Sequence, residues 1–171
     1  MAAFSSNAQT RYQIWANRGA PTRPVAVPRV LVVDDHTESA DALSAYLQAS
    51  GLSVRTVYHG SDALKAAKEW EPDCIVLDVA MPGLSGIGVA AMLRQHDMTA
   101  RIPLLAYTAY DTADQLRELK LAGFDAVCLK PADPSQLERL IGQMIGLDDA
   151  AGTDPATTAT ITAALKPDTG C

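Results

Sequence analysis

Aromatic side chains make up only 5% of this 171-residue chain, and it has only three cysteines. With so few rings, Ala, Val, Leu and Ile must fill any core. A 48% apolar composition suffices for that, which excludes wholesale disorder. Cys74, Cys128 and Cys171 are odd in number and widely spaced, with no CxxC pair, so they make neither a disulfide framework nor a zinc site. Cys74 and Cys128 lie in apolar runs and read as small buried hydrophobes, while no prenylation box follows Cys171. No apolar run approaches transmembrane length and no signal-peptide core is present, so a cytoplasmic location and no membrane contact are expected. The net charge of −6 and pI near 4.9 weigh against a protein that binds nucleic acid by bulk electrostatics. GxGxxG is missing after the first strand-like run, since the glycine cluster GLSGIG (83–88) comes later with the wrong spacing. Ser85 lacks the second glycine of a nucleophile elbow, and His36, His59 and His96 have no ligand spacing and read as solvated or loop residues.

What is present falls into three parts. Residues 1–28 hold Arg11, Arg18 and Arg23 without a single acid, and Pro21, Pro24 and Pro28 interrupt any regular element. This stretch reads as a basic flexible arm and linker, carrying Phe4, Tyr12 and Trp15; a partner-docking segment or an organellar presequence is the alternative. Residues 147–171 are rich in Thr and Ala, with Asp148, Asp149, Asp154 and Asp168 against Lys166, and read as an acidic flexible tail. The domain is expected over 29–146.

Within it, apolar runs and amphipathic stretches alternate five times. Strands are expected at 29–33 (RVLVV), 53–57, 74–77 (CIVL), 102–107 and 126–129. Helices are expected at 38–49 with Thr37 as N-cap, from Gly60 to Trp70, from about Gly88 to Gln95, at 112–121 and at 134–145. Strands that are apolar throughout belong in a parallel sheet covered on both faces. The fold class is therefore α/β, a flavodoxin-like (βα)5 doubly wound sheet of strand order 2-1-3-4-5. Ligands of such sheets bind beyond the carboxyl ends of the strands, at the switch point.

Asp34-Asp35 ends the first of these strands, Asp78 the third, Thr108 the fourth and Lys130 the fifth. Any one of them reads equally well as a turn residue or a helix cap. Together they line one crevice with complementary groups. Clustered carboxylates repel unless a cation compensates, and oxygen ligands with open positions suit Mg²⁺ or Mn²⁺. Such an ion with a lysine, a hydroxyl and a spare carboxylate suits phosphoryl transfer onto that carboxylate, giving an aspartyl phosphate.

These residues stand in the runs VLVVDD (30–35), IVLDVAMPGLSG (75–86), LLAYTAY (104–110) and LKP (129–131). In these runs the chain resembles the receiver domain of two-component response regulators, similar to stand-alone or hybrid-kinase receivers, over about 29–146. The resemblance implies that Asp78 is the phosphoacceptor, that Asp35 ligates Mg²⁺ directly and Asp34 through water, and that the Ala80 carbonyl completes the metal shell. It also implies that Thr108 moves inward to the phosphoryl group, that Lys130 pairs with it, and that a cis bond precedes Pro131. A sensor histidine kinase or histidine phosphotransfer protein would be the donor. The output face would be about 112–145, serving either a homodimer or a docked target.

Three features depart from the family pattern. Val127 stands where the family's switch aromatic lies, three residues before the lysine, so Tyr110 becomes the candidate rotor, or else packs on the fourth helix. Ala80, two residues after Asp78, has no side chain to orient a hydrolytic water, so an acyl phosphate not among the family's shortest-lived is expected. The 25 residues after Gly146 are too few for an output domain, which points to a single-domain switch, not an enzyme acting on a separate substrate and not a direct DNA binder. The alternatives are a phosphate-independent pseudo-receiver, a receiver segment of a hybrid kinase (against which Met1 argues), or a haloacid-dehalogenase-type phosphatase. The last would need a second Asp where Ala80 stands.

Overall fold

Turn residues set off each apolar run of the chain, and each becomes a strand. In the computed structural model, which describes residues 11–18 and 27–147, the strands are β1 (Tyr12–Ile14), β2 (Arg29–Val33), β3 (Ser53–Val57), β4 (Cys74–Leu77), β5 (Leu104–Thr108) and β6 (Ala126–Leu129). The helices are α1 (Thr37–Ala49), α2 (Gly60–Trp70), α3 (Gly86–Gln95), α4 (Ala113–Ala122) and α5 (Pro134–Met144). The sheet order is β1-β6-β5-β4-β2-β3. Its five parallel strands follow the expected 2-1-3-4-5 winding of a flavodoxin-like fold, and a sixth strand extends one edge.

Successive residues of each parallel strand point to opposite faces, and inward of the edge strand β3 both faces are covered. Leu31, Val33, Ile75, Leu77, Leu104 and Ala106 join the core under α2, α3 and α4. Val30, Val32, Cys74, Val76, Leu105 and Cys128 join the core under α1 and α5. Cys74 and Cys128 are fully buried, as small hydrophobes would be.

The extra strand corrects the reading of residues 1–28 as a flexible arm without regular structure. Tyr12–Ile14 pairs antiparallel with β6, Tyr12 lying opposite Cys128 and Ile14 opposite Ala126. The reason is the open edge of β6, whose backbone groups need partners. Leu129 N–H donates to Arg11 O at 2.8 Å, and the Trp15 and Ala16 N–H groups donate to Asp125 O at 2.7 and 3.1 Å. The remainder of that arm, residues 1–10 and 19–26, and the tail from 148 to 171, with Cys171, lie outside the described residues.

Smaller corrections concern element ends. His36, not Thr37, caps α1, its Nδ1 accepting from Ser39 N–H at 3.3 Å. Helix α3 starts two residues early, at Gly86, because Ser85 accepts from Gly88 N–H. Strand β5 runs later than expected, so Thr108 is its last member. His96 is not simply a solvated residue: it ends α3 and its Nδ1 is buried without a hydrogen-bond partner.

Candidate functional site

Parallel register carries the strand ends to one line. Val33 pairs with Leu77, Leu77 with Ala106, and Thr108 with Leu129. The next residues along β2, β4 and β6 are Asp34, Asp78 and Lys130, which therefore converge. Asp34 is 4% exposed and Asp78 9%, whereas Asp35 is the most accessible of the three acids.

Each buried carboxylate divides its oxygens between backbone and lysine. Asp34 Oδ1 accepts from His36 N–H at 2.9 Å, and its Oδ2 accepts from Lys130 Nζ at 3.0 Å. Asp78 Oδ1 accepts from Ala80 N–H at 3.0 Å, and its Oδ2 accepts from Lys130 Nζ at 2.8 Å. One ammonium thus links the ends of β2 and β4 from its own place on β6. Burial works against the charge of Lys130, but hydrogen bonds and attraction from Asp78 and Asp34 outweigh it and raise its pKa above the ordinary lysine value. Lys130 also lies 4.9 Å from the Tyr107 ring centroid, a favourable cation–π placement.

The loop that carries Asp78 is held by a glycine. A Cβ on Gly86 would stand 2.6 Å from Val79 Cα and collide with Asp78 O, so only glycine lets α3 start this close to the end of β4. Gly86 N–H in turn donates to Val79 O at 3.0 Å. The other wall is β5. Thr108 is fully buried, its hydroxyl accepting from Tyr110 N–H at 3.2 Å and its carbonyl from Lys130 N–H at 2.8 Å. Tyr110 is half-buried against the core under α2–α4, and Val127 is fully buried in that core. The Lys130–Pro131 peptide bond is cis.

Asp34, Asp35 and Asp78 can each offer an oxygen within 4.8 Å of the others. An all-oxygen set of three carboxylates beside open solvent fits Mg²⁺ or Mn²⁺. Ala80 is placed by its N–H on Asp78, in the loop where its carbonyl was expected to serve the ion. Sequence reasoning missed two contributors, the His36 backbone N–H and the Tyr107 ring. Only the strand alternation that turns Tyr107 away from Thr108 would have hinted at the second.

Residues 30–142 match the response regulator receiver domain family. The chain belongs to that family. The receiver is 34% identical over 137 residues to the transcriptional regulatory protein PrrA of Mycobacterium tuberculosis, covering 80% of this chain and 58% of that one. It is 37% identical over 109 residues to the DNA-binding response regulator MtrA of Mycolicibacterium smegmatis, covering 64% and 46%. This chain therefore spans about half the length of the curated relatives it matches. Among solved structures, the chemotaxis protein CheY4 of Vibrio cholerae superposes with a TM-score of 0.67 at 28% identity, covering 70% of this chain and 99% of that one. The receiver domain of the Pseudomonas aeruginosa sensor histidine kinase PA1611, solved with magnesium coordinated in its active-site cleft, gives 0.66 at 26%, covering 71% and 99%. The chain is thus a two-component receiver with a place in phosphorelay signalling, and the haloacid-dehalogenase alternative falls with that assignment. Among the described residues, no helix of the receiver is long and apolar enough to cross a membrane.

Proposed function

We propose that this receiver takes a phosphoryl group from a phosphohistidine, on a sensor histidine kinase or a histidine phosphotransfer protein, onto Asp78. The observation that carries the proposal is the convergence of Asp34, Asp35 and Asp78 under the Lys130 ammonium. An Asp78 carboxylate oxygen attacks phosphorus in line, the phosphorus–nitrogen bond breaks, and its electron pair stays on the departing imidazole. Asp34, Asp35, Asp78 and the Ala80 carbonyl would hold Mg²⁺ or Mn²⁺, which when bound neutralises charge on the transferring group. Lys130 supplies the second positive charge, and turning from the Asp78 carboxylate to the phosphoryl oxygen keeps it paired throughout. Thr108 then donates its hydroxyl to the phosphoryl group, and the adjoining loop to Tyr110 follows, biasing a two-state equilibrium.

Signalling then proceeds in the cytoplasm by phosphorylation-dependent docking or by phosphorelay, as a single-domain regulator that makes no direct DNA contact and turns over no separate substrate. Ala80 brings no polar side chain to the hydrolytic water, so the acyl phosphate should outlast the seconds scale. A second reading, a receiver serving a DNA-binding output, is favoured by the names of the relatives PrrA and MtrA. The size of the native protein in its own cells distinguishes the two: 171 residues supports the first, a longer chain the second.

The chemistry is tested with acetyl phosphate and Mg²⁺, reading intact mass. The chain should gain one phosphoryl group that hydroxylamine removes, and Asp78→Asn should gain none. An unmodified wild-type chain would point instead to a pseudo-receiver.

A further inference from the structure

The strand added at the sheet edge has features that phosphoryl chemistry does not use. Tyr12 packs against the core shared by α1 and α5, while Trp15 packs against the core on the other face. Lys120 Nζ lies 5.7 Å from the Trp15 ring centroid. Three residues further on, Arg18 Nε donates to Asp125 Oδ1 at 2.7 Å. The segment therefore grips both sheet faces and ends in an ion pair.

The seat for that arginine is built independently of it. Asp125 is 1% exposed, and its other oxygen accepts from Arg94 at 2.8 Å and from Leu104 N–H at 2.9 Å. Arg94 is fixed in turn by the carbonyls of Gly123, Ala100 and Ile102 at 2.9, 3.0 and 2.8 Å. With Arg18 withdrawn, Asp125 keeps these partners and presents one free carboxylate oxygen. The β6 edge would then show the Leu129 N–H and the Asp125 C=O, both now taken by the arm. An open edge of this kind templates an incoming strand. Charge favours a basic occupant: residues 1–28 carry three arginines and no acid, whereas the chain as a whole is at −6.

We propose that the β6 edge is a peptide-docking groove and that residues 11–18 are its built-in ligand. What the groove recognises is an extended, acid-free segment with an aromatic ring for each sheet face and, three residues beyond the second ring, an arginine for Asp125. Any outside partner of that kind must displace the arm. Arm and edge belong to one chain, so an outside segment competes with an intramolecular ligand: the arm excludes weak competitors and yields to tight ones. The groove lies between α4 and α5, so its occupancy decides what can reach that end of the sheet.

The test uses the full chain carrying Gln13→Pro with Arg18→Ala, and a fluorescent synthetic peptide of residues 11–18. Proline removes a backbone donor in the added strand, and alanine removes the ion pair, leaving Arg94 and Asp125 intact. The variant should bind the peptide at least tenfold more tightly than wild type, and a peptide lacking the arginine should bind at least tenfold more weakly. Leu129 amide exchange should be faster in the variant and slow again with peptide bound. Protection of β4 and β5 amides reports that the sheet is folded; if it is lost, Arg18→Ala alone makes the same comparison. The proposal is overturned if Leu129 exchanges fast but the peptide does not bind, if Leu129 stays slow in the folded variant, or if wild type binds the peptide as tightly as the variant.

Discussion

Lys130 Nζ lies 2.8 Å from Asp78 Oδ2, although the two residues are 52 positions apart and stand on strands separated by β5. The same ammonium reaches Asp34 at 3.0 Å, so two buried carboxylates share one internal cation. Removing it leaves them facing each other. Lys130→Met should destabilise the fold by about 1–3 kcal/mol in Mg²⁺-free buffer, measured by denaturant titration. Added Mg²⁺ should recover part of the loss, because it binds only the folded site.

The pH dependence of that contribution follows from its sign. A lysine whose pKa is raised in the folded state gives stability that is complete below its ordinary pKa and is lost as pH rises through the raised one. The melting difference between wild type and Lys130→Met should therefore gain no slope from the ammonium between about pH 7 and 9. It should shrink only at more alkaline pH, which a series of thermal melts would show.

Asp35 is the most open of the three acids, and in the proposed site it would ligate the divalent ion directly. Asp35→Ala should weaken Mn²⁺ binding at least tenfold, read from the free-ion signal by electron paramagnetic resonance, while leaving the melting temperature of the ion-free protein nearly unchanged.

Gly86 tests whether the site depends on close backbone approach. Gly86→Ala should destabilise by about 1–3 kcal/mol, since the new methyl group meets Asp78 O and Val79 Cα. It should also displace the Asp78 loop, so phosphorylation by acetyl phosphate should slow more than for an alanine placed at exposed Ser61.

Burial pushes the Cys128 thiol up to about 11 and raises that of Cys74 further. At pH 8 both thiols therefore stay protonated, and the thiolate is the reactive form. With Cys171→Ser, Ellman's reagent should detect no thiol in the folded protein and two after denaturation.

Most of the fold was legible because the chain alternates local signals with each element. VLVV (30–33) and CIVL are apolar throughout, as suits strands covered on both faces, and Gly123 and Pro134 mark where helices stop and start. The site was legible for a related reason: its residues end strands, so a correct strand order brings them together. β1 was hidden because it is three residues long and its partner lies more than a hundred positions away, leaving no local periodicity to read. Asp125 was hidden too, since nothing in GFDAV separates a buried acid gripped by Arg18 and Arg94 from an exposed turn residue. His36 displaced Thr37 as the cap because an imidazole nitrogen can accept as a hydroxyl does, which a preference for Ser and Thr overlooks.

The most direct measurement is the site of modification itself. After phosphorylation with acetyl phosphate and Mg²⁺, borohydride converts an aspartyl phosphate to homoserine, which peptide mass spectrometry locates. Homoserine at position 78 is the predicted result; homoserine at 34 or 35, or at no position, would contradict the account.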